Sequence, residues 1–568
     1  MAKIVYLCSR QGARLPFSRT DMESVLSRLT PDNIIPRPPR IIEKEGFLVG
    51  VFNPTDSLLV QDLAVCMGVL LNDAGDWWRA GSQAPDGSYA LFRNDAQSVE
   101  LLTDIVGTRT LWYVQTPDWF IASTSQRAIV CFLGDFEPNA EASSWMLSSG
   151  TLGPGLSWDR RIRCLGGNAR LILNRDTWTL TVKQETVRYD SVSLTEPEHA
   201  QQLLQALTQT FLKMDLDMQR WMLPLSGGVD SRAVLLMLKD RVGLRTITWG
   251  QKGAQQNPKS DAYIAQLMAA HVGVAHEYYP IDISPEPFET VLQRFLIAGE
   301  GRVDHVSAYV DGLAIWKRLF ENGCQGAIRG DEAFGCMAVR SHFDVYRNMG
   351  LTIMDDYKNS DMVKEYSRES GQHRPESLEQ RSGESLEAWR DRLNTEFEAP
   401  YIFAALNDLK LPYVEMCSPL LSRRVIRVVR QLPDFLRTNK TLFRKIVNTM
   451  APGIRYASHS AIANRKDILK DKKVVGVVTR YLESARTLSV LPQELIAHIL
   501  AALRSESASS LMQRSAREKI RVVVERLERS KTKLRMDIHV LAFRAYLISR
   551  MTEILAQDSE ALLGHKRA

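Results

Sequence analysis

Leu223-Pro224-Leu225-Ser226-Gly227-Gly228-Val229-Asp230-Ser231 places two glycines, two hydroxyls and a carboxylate between two apolar runs. Trp221 to Leu225 has the length and composition of a buried strand, and Asp230 to Leu238 continues as a mostly apolar helix. The chemistry this predicts is phosphate binding. Gly227 and Gly228 let the backbone approach an anion, and the amides that open the helix point toward it with the helix dipole behind them. Ser226 and Ser231 add hydroxyl donors, and Asp230 can hold a magnesium ion that screens the phosphates. The spacing is neither Gly-four-Gly-Lys nor the three-glycine dinucleotide fingerprint, so kinase and dehydrogenase readings lose their main support.

The surrounding elements must hold this turn in place. A helix from about His199 to Leu216 precedes it. A strand follows at Arg245–Gly250, then a helix from Ser260-Asp261 through His271, a strand Glu277 to Ile281 and a helical segment Pro285 to Ala298. Strand and helix in alternation predict a doubly wound parallel sheet. Ligands sit at the carboxyl ends of such strands, so Leu225 and Trp249-Gly250 would flank the pocket for a nucleotide's base, with Trp249 stacking on the base or packing on the sheet. Asp261 either starts its helix or serves near the nucleotide. Before this, Ser88–Arg93, Leu111–Val114, Trp119–Ala122 and Ala169–Leu173 are short alternating segments that predict stacked sheets with an inner apolar face. The polar stretch from Arg188 to Glu198, with Pro197, divides the chain into domains 1–190 and 199–568. Farther on, Asp355 to Leu393 is charge-rich and reads as solvated surface or a lid. From Tyr401 onward the pattern is helical, and Arg514 to Lys533 is a basic amphipathic stretch suited to packing on the second domain or a partner.

At 568 residues, more than one domain is required. A formal charge of +6 from 72 basic and 66 acidic residues is small for this length and argues against a nucleic-acid partner. Seven scattered cysteines predict reduced thiols, and with no signal segment or apolar run near membrane-spanning length a soluble cytoplasmic protein is expected.

The residues also carry a resemblance. Ser226 to Ser231 looks like the pyrophosphate loop of the ATP pyrophosphatase superfamily, whose members split ATP into AMP and pyrophosphate. Asp86–Leu91, Asp104–Tyr113, Ser123–Ser125, Gly153-Pro154-Gly155, Ile162 and Gly166-Gly167 resemble, in order, the glutaminase domain of asparagine synthetases. Gly330-Asp331-Glu332-Ala333-Phe334-Gly335 resembles the same family's second acidic segment, with Arg329 where a glycine is usual. The resemblance implies that Asp331 binds a second magnesium beside Asp230. Glu415–Leu421 resembles the family's Glu-x-Arg-x-Pro segment, with Cys417 in place of arginine, and implies for Glu415 either a base for an attacking amine or a helix-start anchor. Lys440 stands where relatives place a lysine on the pyrophosphate, and Lys466 is the nearest candidate for a second, catalytic lysine, with Lys470 and Lys472 as rivals.

The fold so implied is an α/β and α+β two-domain protein: an Ntn-hydrolase-like β-sandwich with helices, then a doubly wound parallel sheet of ATP pyrophosphatase type with a helical extension. Working glutaminases of this kind use an N-terminal cysteine, whereas position 2 is Ala2 and Cys8 lies inside an apolar strand, so a silent glutaminase half is expected. Three residues before Asp331 asparagine-forming enzymes carry glutamate and β-lactam synthetases tyrosine; Ile328 departs from both. The resemblance implies a ligase using ATP and Mg2+ to adenylate a carboxylate and close an amide. Its substrate would be a small molecule or peptide carrying carboxylate and amine, without membrane or nucleic acid, in an enzyme that could be a homodimer. Intramolecular closure as in β-lactam synthetases is preferred; a lasso-peptide-type macrolactam cyclase and an ammonia-dependent asparagine-type synthetase are the alternatives.

Overall fold

The computed structural model describes residues 3–71, 75–451, 453–484, 491–509 and 533–562. Ala2 and nearly all of the basic stretch Arg514 to Lys533 lie outside them.

The N-terminal part is two six-stranded antiparallel sheets. In one, Ile4–Ser9 runs between Trp119–Ser123 and Phe47–Val51, pairing Tyr6 with both Ala122 and Val49. The alternation of this strand builds two cores at once. Ile4, Tyr6 and Cys8 meet Phe92, Leu101 and Leu171 of the second sheet, while Val5 and Leu7 turn toward Val25, Leu26 and Ile129 of the helices Arg19–Arg28 and Gln126–Leu133. The four expected strands lie within Gly87–Asn94, Leu111–Gln115, Trp119–Ser123 and Ala169–Asn174.

The helix Glu196–Leu212 leads into the second part, begun by Thr195, whose N–H donates to Glu198 Oε2 at 2.7 Å. Five parallel strands follow in the spatial order Ala275–Pro280, Arg245–Gly250, Trp221–Pro224, Gly326–Ile328, Glu415–Cys417. The first of these in sequence lies at the centre, so the sheet is doubly wound, and the order reverses between Trp221–Pro224 and Gly326–Ile328. The protein is thus an α/β two-part architecture, as the alternation predicts.

Two expectations require correction. Glu415–Cys417 is a strand within a region expected to be wholly helical; its residues pair with Gly326–Ile328 and gain ladder hydrogen bonds that three residues could not announce by periodicity. Asp355 to Leu393 is not simply surface. Helix Leu386–Leu393 buries Trp389, Arg390, Asp391 and Arg392, and Asp391 accepts from Arg390 Nε at 2.7 Å and also binds Arg437. Its charges are paired with one another inside, where composition read them as solvated.

The C-terminal helix Ile538–Ser559 packs against Gln126–Leu133 and Ala140–Ser149 of the N-terminal part. There Arg127 holds Asp558 through Nε at 2.7 Å and Nη2 at 3.0 Å, with both side chains buried. No helix among the described residues is long and apolar enough to cross a membrane.

Removing one partner of a buried pair strands the other charge. Asp558→Ala should therefore cost about 3–5 kcal/mol in denaturant unfolding; a loss under about 1 kcal/mol would show that Arg127 finds water or another partner.

Candidate active site

The reversal point of the sheet gathers the sequence-marked residues. Leu225, Ser226, Asp230, Ser231, Trp249, Gly330 and Asp331 line one cavity of about 240 Å³ together with Thr248, Asp261 and Arg329. Gly228 precedes the helix Val229–Leu238, whose first turn carries Asp230. Within the turn, Ser226 N–H donates to Ser231 Oγ at 3.0 Å and Gly228 N–H to Ser226 Oγ at 3.2 Å. The hydroxyls therefore shape the loop from inside it.

The glycines divide their work. A Cβ on Gly227 would lie 2.4 Å from Ala457 Cβ, and one on Gly250 would lie 2.5 Å from Ala461 Cβ. Both glycines seat the segment Ala457–Ala461 across the strand ends, where Ala457 N–H donates to Gly227 O and Gln251 N–H to Ala461 O. Gly227 thus admits this cover rather than a phosphate, while Gly228 meets nothing nearer than Ser226 Oγ at 3.3 Å. On Gly330 a Cβ would come within 2.8 Å of Ser231 N, so glycine there lets the fourth strand's end touch the helix start. Ser260 caps the following helix by accepting from Tyr263 N–H, which frees Asp261 to accept from Gly227 N–H at 3.2 Å.

The charges interlock. Lys440 Nζ lies 2.7 Å from Asp230 Oδ2 and 2.6 Å from Glu332 Oε1. Burial raises the Asp230 carboxyl against the pull of Lys440, and Asp230 Oδ1 is buried with no hydrogen-bond partner among the described residues. Burial, then the charge of Asp230, pushes Glu332 up to about 7. Asp331 behaves oppositely: burial raises it, but Arg329 and Lys410 outweigh that and hold it below its usual range. Its oxygens take Arg329 Nη2 at 3.2 Å and Ser418 Oγ at 3.1 Å.

Two expected catalytic residues are misplaced for that work. Glu415 opens its strand at the end away from the cavity, is fully buried and is ion-paired with Arg109 of the N-terminal part, so it cannot meet an amine. Lys466 is exposed on the short helix Arg465–Leu469, its backbone tied by Asn464, and it lines no cavity described here. Its neighbour Arg465 turns inward instead, onto Asp304. Ile328 is packed in the apolar core with Leu223 and Leu225, and the next residue, Arg329, reaches the cavity.

Sequence reasoning missed Thr248, the cover Ala457–Ala461, and Lys410, a lysine within the apolar run Leu409–Val414 that is 3% exposed. It also missed a relay from the N-terminal part: Ser88 Oγ accepts from Ser418 N–H at 3.1 Å, and Ser418 in turn holds Asp331. Ser88 stands in a motif the sequence marks, but nothing local announces its partner 330 residues away.

Two outcomes test this geometry. Gly227→Ala should displace the cover and cost about 1–3 kcal/mol, seen as a lowered denaturation midpoint and faster proteolysis near Ala457; unchanged values would mean the cover yields freely. The folded protein holds the Glu332 proton more tightly than the unfolded chain, so its stabilisation is complete below about pH 4.5 and is lost as pH rises through about 7. Glu332→Gln should flatten stability against pH over that window, and an unaltered slope would assign the proton elsewhere.

Comparison with known proteins places this geometry. Residues 203–407 match the family model described as asparagine synthase. No curated protein matches the chain. Among solved structures it is similar to the allosteric regulatory enzyme of purine biosynthesis, at 10% identity over 50% of this chain and 81% of that one, with a TM-score of 0.21. It is similar also to glutamine phosphoribosylpyrophosphate amidotransferase from B. subtilis complexed with ADP and GMP, at 10% identity over 70% of this chain and 96% of that one, with a TM-score of 0.23. Both scores are too low to carry an argument. That family match spans less than half of the chain.

Proposed function

We propose that the protein, organised as domains 1–190 and 199–568, is an AMP-forming carbon–nitrogen ligase that adenylates a carboxylate and passes the acyl group to an amine. The observation that carries this reading is the meeting of the Ser226–Ser231 loop, Asp331 and Lys440 at the point where the parallel sheet reverses. ATP fits the donors present: hydroxyls of Ser226 and Ser231, the first-turn amides of Val229–Leu238, and Trp249 beside the base. Asp230, with its unpartnered buried oxygen, and Asp331 would hold magnesium, whose charge draws electron density from the phosphates. Among the described residues no group of three or more His, Cys, Asp or Glu could hold an ion alone, which suits metal shared with phosphate oxygens.

The chain's own residues then divide the work. Lys440 sits where it can exchange its carboxylate partners for pyrophosphate, stabilising charge as the bond between the α and β phosphates breaks. Thr248 and Asp261 brace the strand end and loop, and the cover Ala457–Ala461 keeps water from the acyl adenylate. The N-terminal part positions Asp331 through Ser88 and Ser418. It does not hydrolyse glutamine: Cys8 points into the core between the sheets, where burial pushes its thiol up to about 12. Nitrogen therefore comes from an amine, and intramolecular closure of the kind β-lactam synthetases perform is preferred to macrolactam closure or ammonia-dependent asparagine formation.

Exchange of labelled pyrophosphate into ATP, stimulated by the cognate carboxylate and magnesium, tests the reading. Asp230→Asn should abolish the exchange, and an undiminished rate would refute the site. Ser88→Ala should lower the exchange several-fold without unfolding the protein, whereas wild-type exchange would leave the relay without a role.

A further inference from the structure

Beside the nucleotide cavity lies a second chamber of about 540 Å³. The two share Trp249, Arg329 and Ile462, so their common mouth is at the sheet's reversal point. Away from that mouth the chamber has two characters. Trp316 and Tyr309, both buried, continue an aromatic wall from Trp249, whose ring meets Trp316 edge-on at 5.4 Å. The charged lining is wholly basic, comprising Arg329, Lys410 and Arg465 with no aspartate or glutamate.

Those cations are not equivalent. Arg329 is paired with Asp331, and Arg465 with Asp304. Lys410 has no carboxylate within ion-pair distance among the described residues; its contacts are Asn407 Oδ1 at 3.4 Å and the Trp316 ring at 5.7 Å. Burial and Arg329 both lower its affinity for a proton, and only Asp331 opposes them. A lysine held this way is stabilised by an anion that enters the chamber. It lines the second chamber and not the first, so its anion is not the group that reacts at the mouth.

We propose, resting on the ligase reading above, that this chamber is the acyl-substrate subsite and takes an aromatic acid with two anionic groups. One carboxylate faces the nucleotide at Arg329, the ring lies against Trp249, Trp316 and Tyr309, and the second anion is held by Lys410. Lys410 is then a specificity-determining residue, and the aromatic wall excludes substrates of purely polar body.

Calorimetric titration of the full chain with magnesium and a non-hydrolysable ATP analogue present provides the test, using benzylsuccinate, 3-phenylpropionate and succinate as probes. Benzylsuccinate should bind about tenfold or more tightly than either partial probe. In Lys410→Met its advantage over 3-phenylpropionate should collapse, and Lys410→Arg should restore part of it, a change in selectivity that loss of packing alone does not produce. Should the lysine variants fail to fold, Trp316→Leu should erase the advantage over succinate. Undetectable benzylsuccinate binding, or an advantage that survives Lys410→Met or Trp316→Leu, overturns the proposal. Binding of the ATP analogue is titrated separately: retained nucleotide affinity with failed probes defeats only this inference, whereas loss of nucleotide binding by the unaltered protein defeats the ligase reading.

Discussion

A parallel sheet sends every strand's carboxyl end to one edge, and where its winding reverses the two flanking loops are driven apart, opening a crevice. Here Trp221–Pro224 and Gly326–Ile328 flank that point, and everything chemical in the second part is arranged around it. The loop after one strand supplies Ser226 to Ser231; the loop after the other supplies Arg329 to Glu332. Gly330 keeps the crevice narrow at its base, because its missing side chain lets backbone meet backbone at Ser231. Lys440 then ties the two loops together across Asp230 and Glu332.

This arrangement also draws in the N-terminal part. The N-terminal part reaches the second part through buried polar contacts: Arg109 on Glu415, Ser88 on Ser418, and Lys3 on Glu300 at 2.6 Å. Glu300 adopts a left-handed backbone, φ 54°, and its carboxylate also takes Ser125 Oγ and the Gln126 N–H. A residue held in that conformation and paired on both sides reads as part of a required joint. Asp304 draws Arg544 of the C-terminal helix at 2.6 Å and Arg465 together within the second part, and Arg544 Nη1 carries the link across by donating to Ser148 O at 2.7 Å. The two parts therefore share charge as well as apolar surface, and Ser88 of the N-terminal part reaches Asp331 through Ser418.

The legible part of the site was the part whose chemistry is local. A glycine pair after a short apolar strand and before an apolar helix needs no distant partner to be recognised, and the alternation of elements from His199 to Ala298 led directly to the central strands. Reading failed where a residue's role depends on what is folded against it. Glu415 resembled a family segment that implied either a base or a helix-start anchor, yet it is buried against Arg109, more than 300 positions earlier in the chain. Lys466 looked catalytic by order along the chain, whereas its side chain is exposed on a helix whose Ile468 and Leu469 are the buried residues.

What the sequence by itself determined was the glycine turn between strand and helix, the strand–helix alternation that makes a doubly wound sheet, and the period-2 pattern that makes stacked antiparallel ones, since each follows from residues within a turn or two of each other. Which lysine turns inward, which glycine stays open and which clears a covering segment, and how Ser88 comes to reach Asp331 through Ser418 were decided only by tertiary structure. Those roles are set by burial and by partners hundreds of residues apart, and no local pattern encodes a distance between segments that meet only when the sheets close on one another.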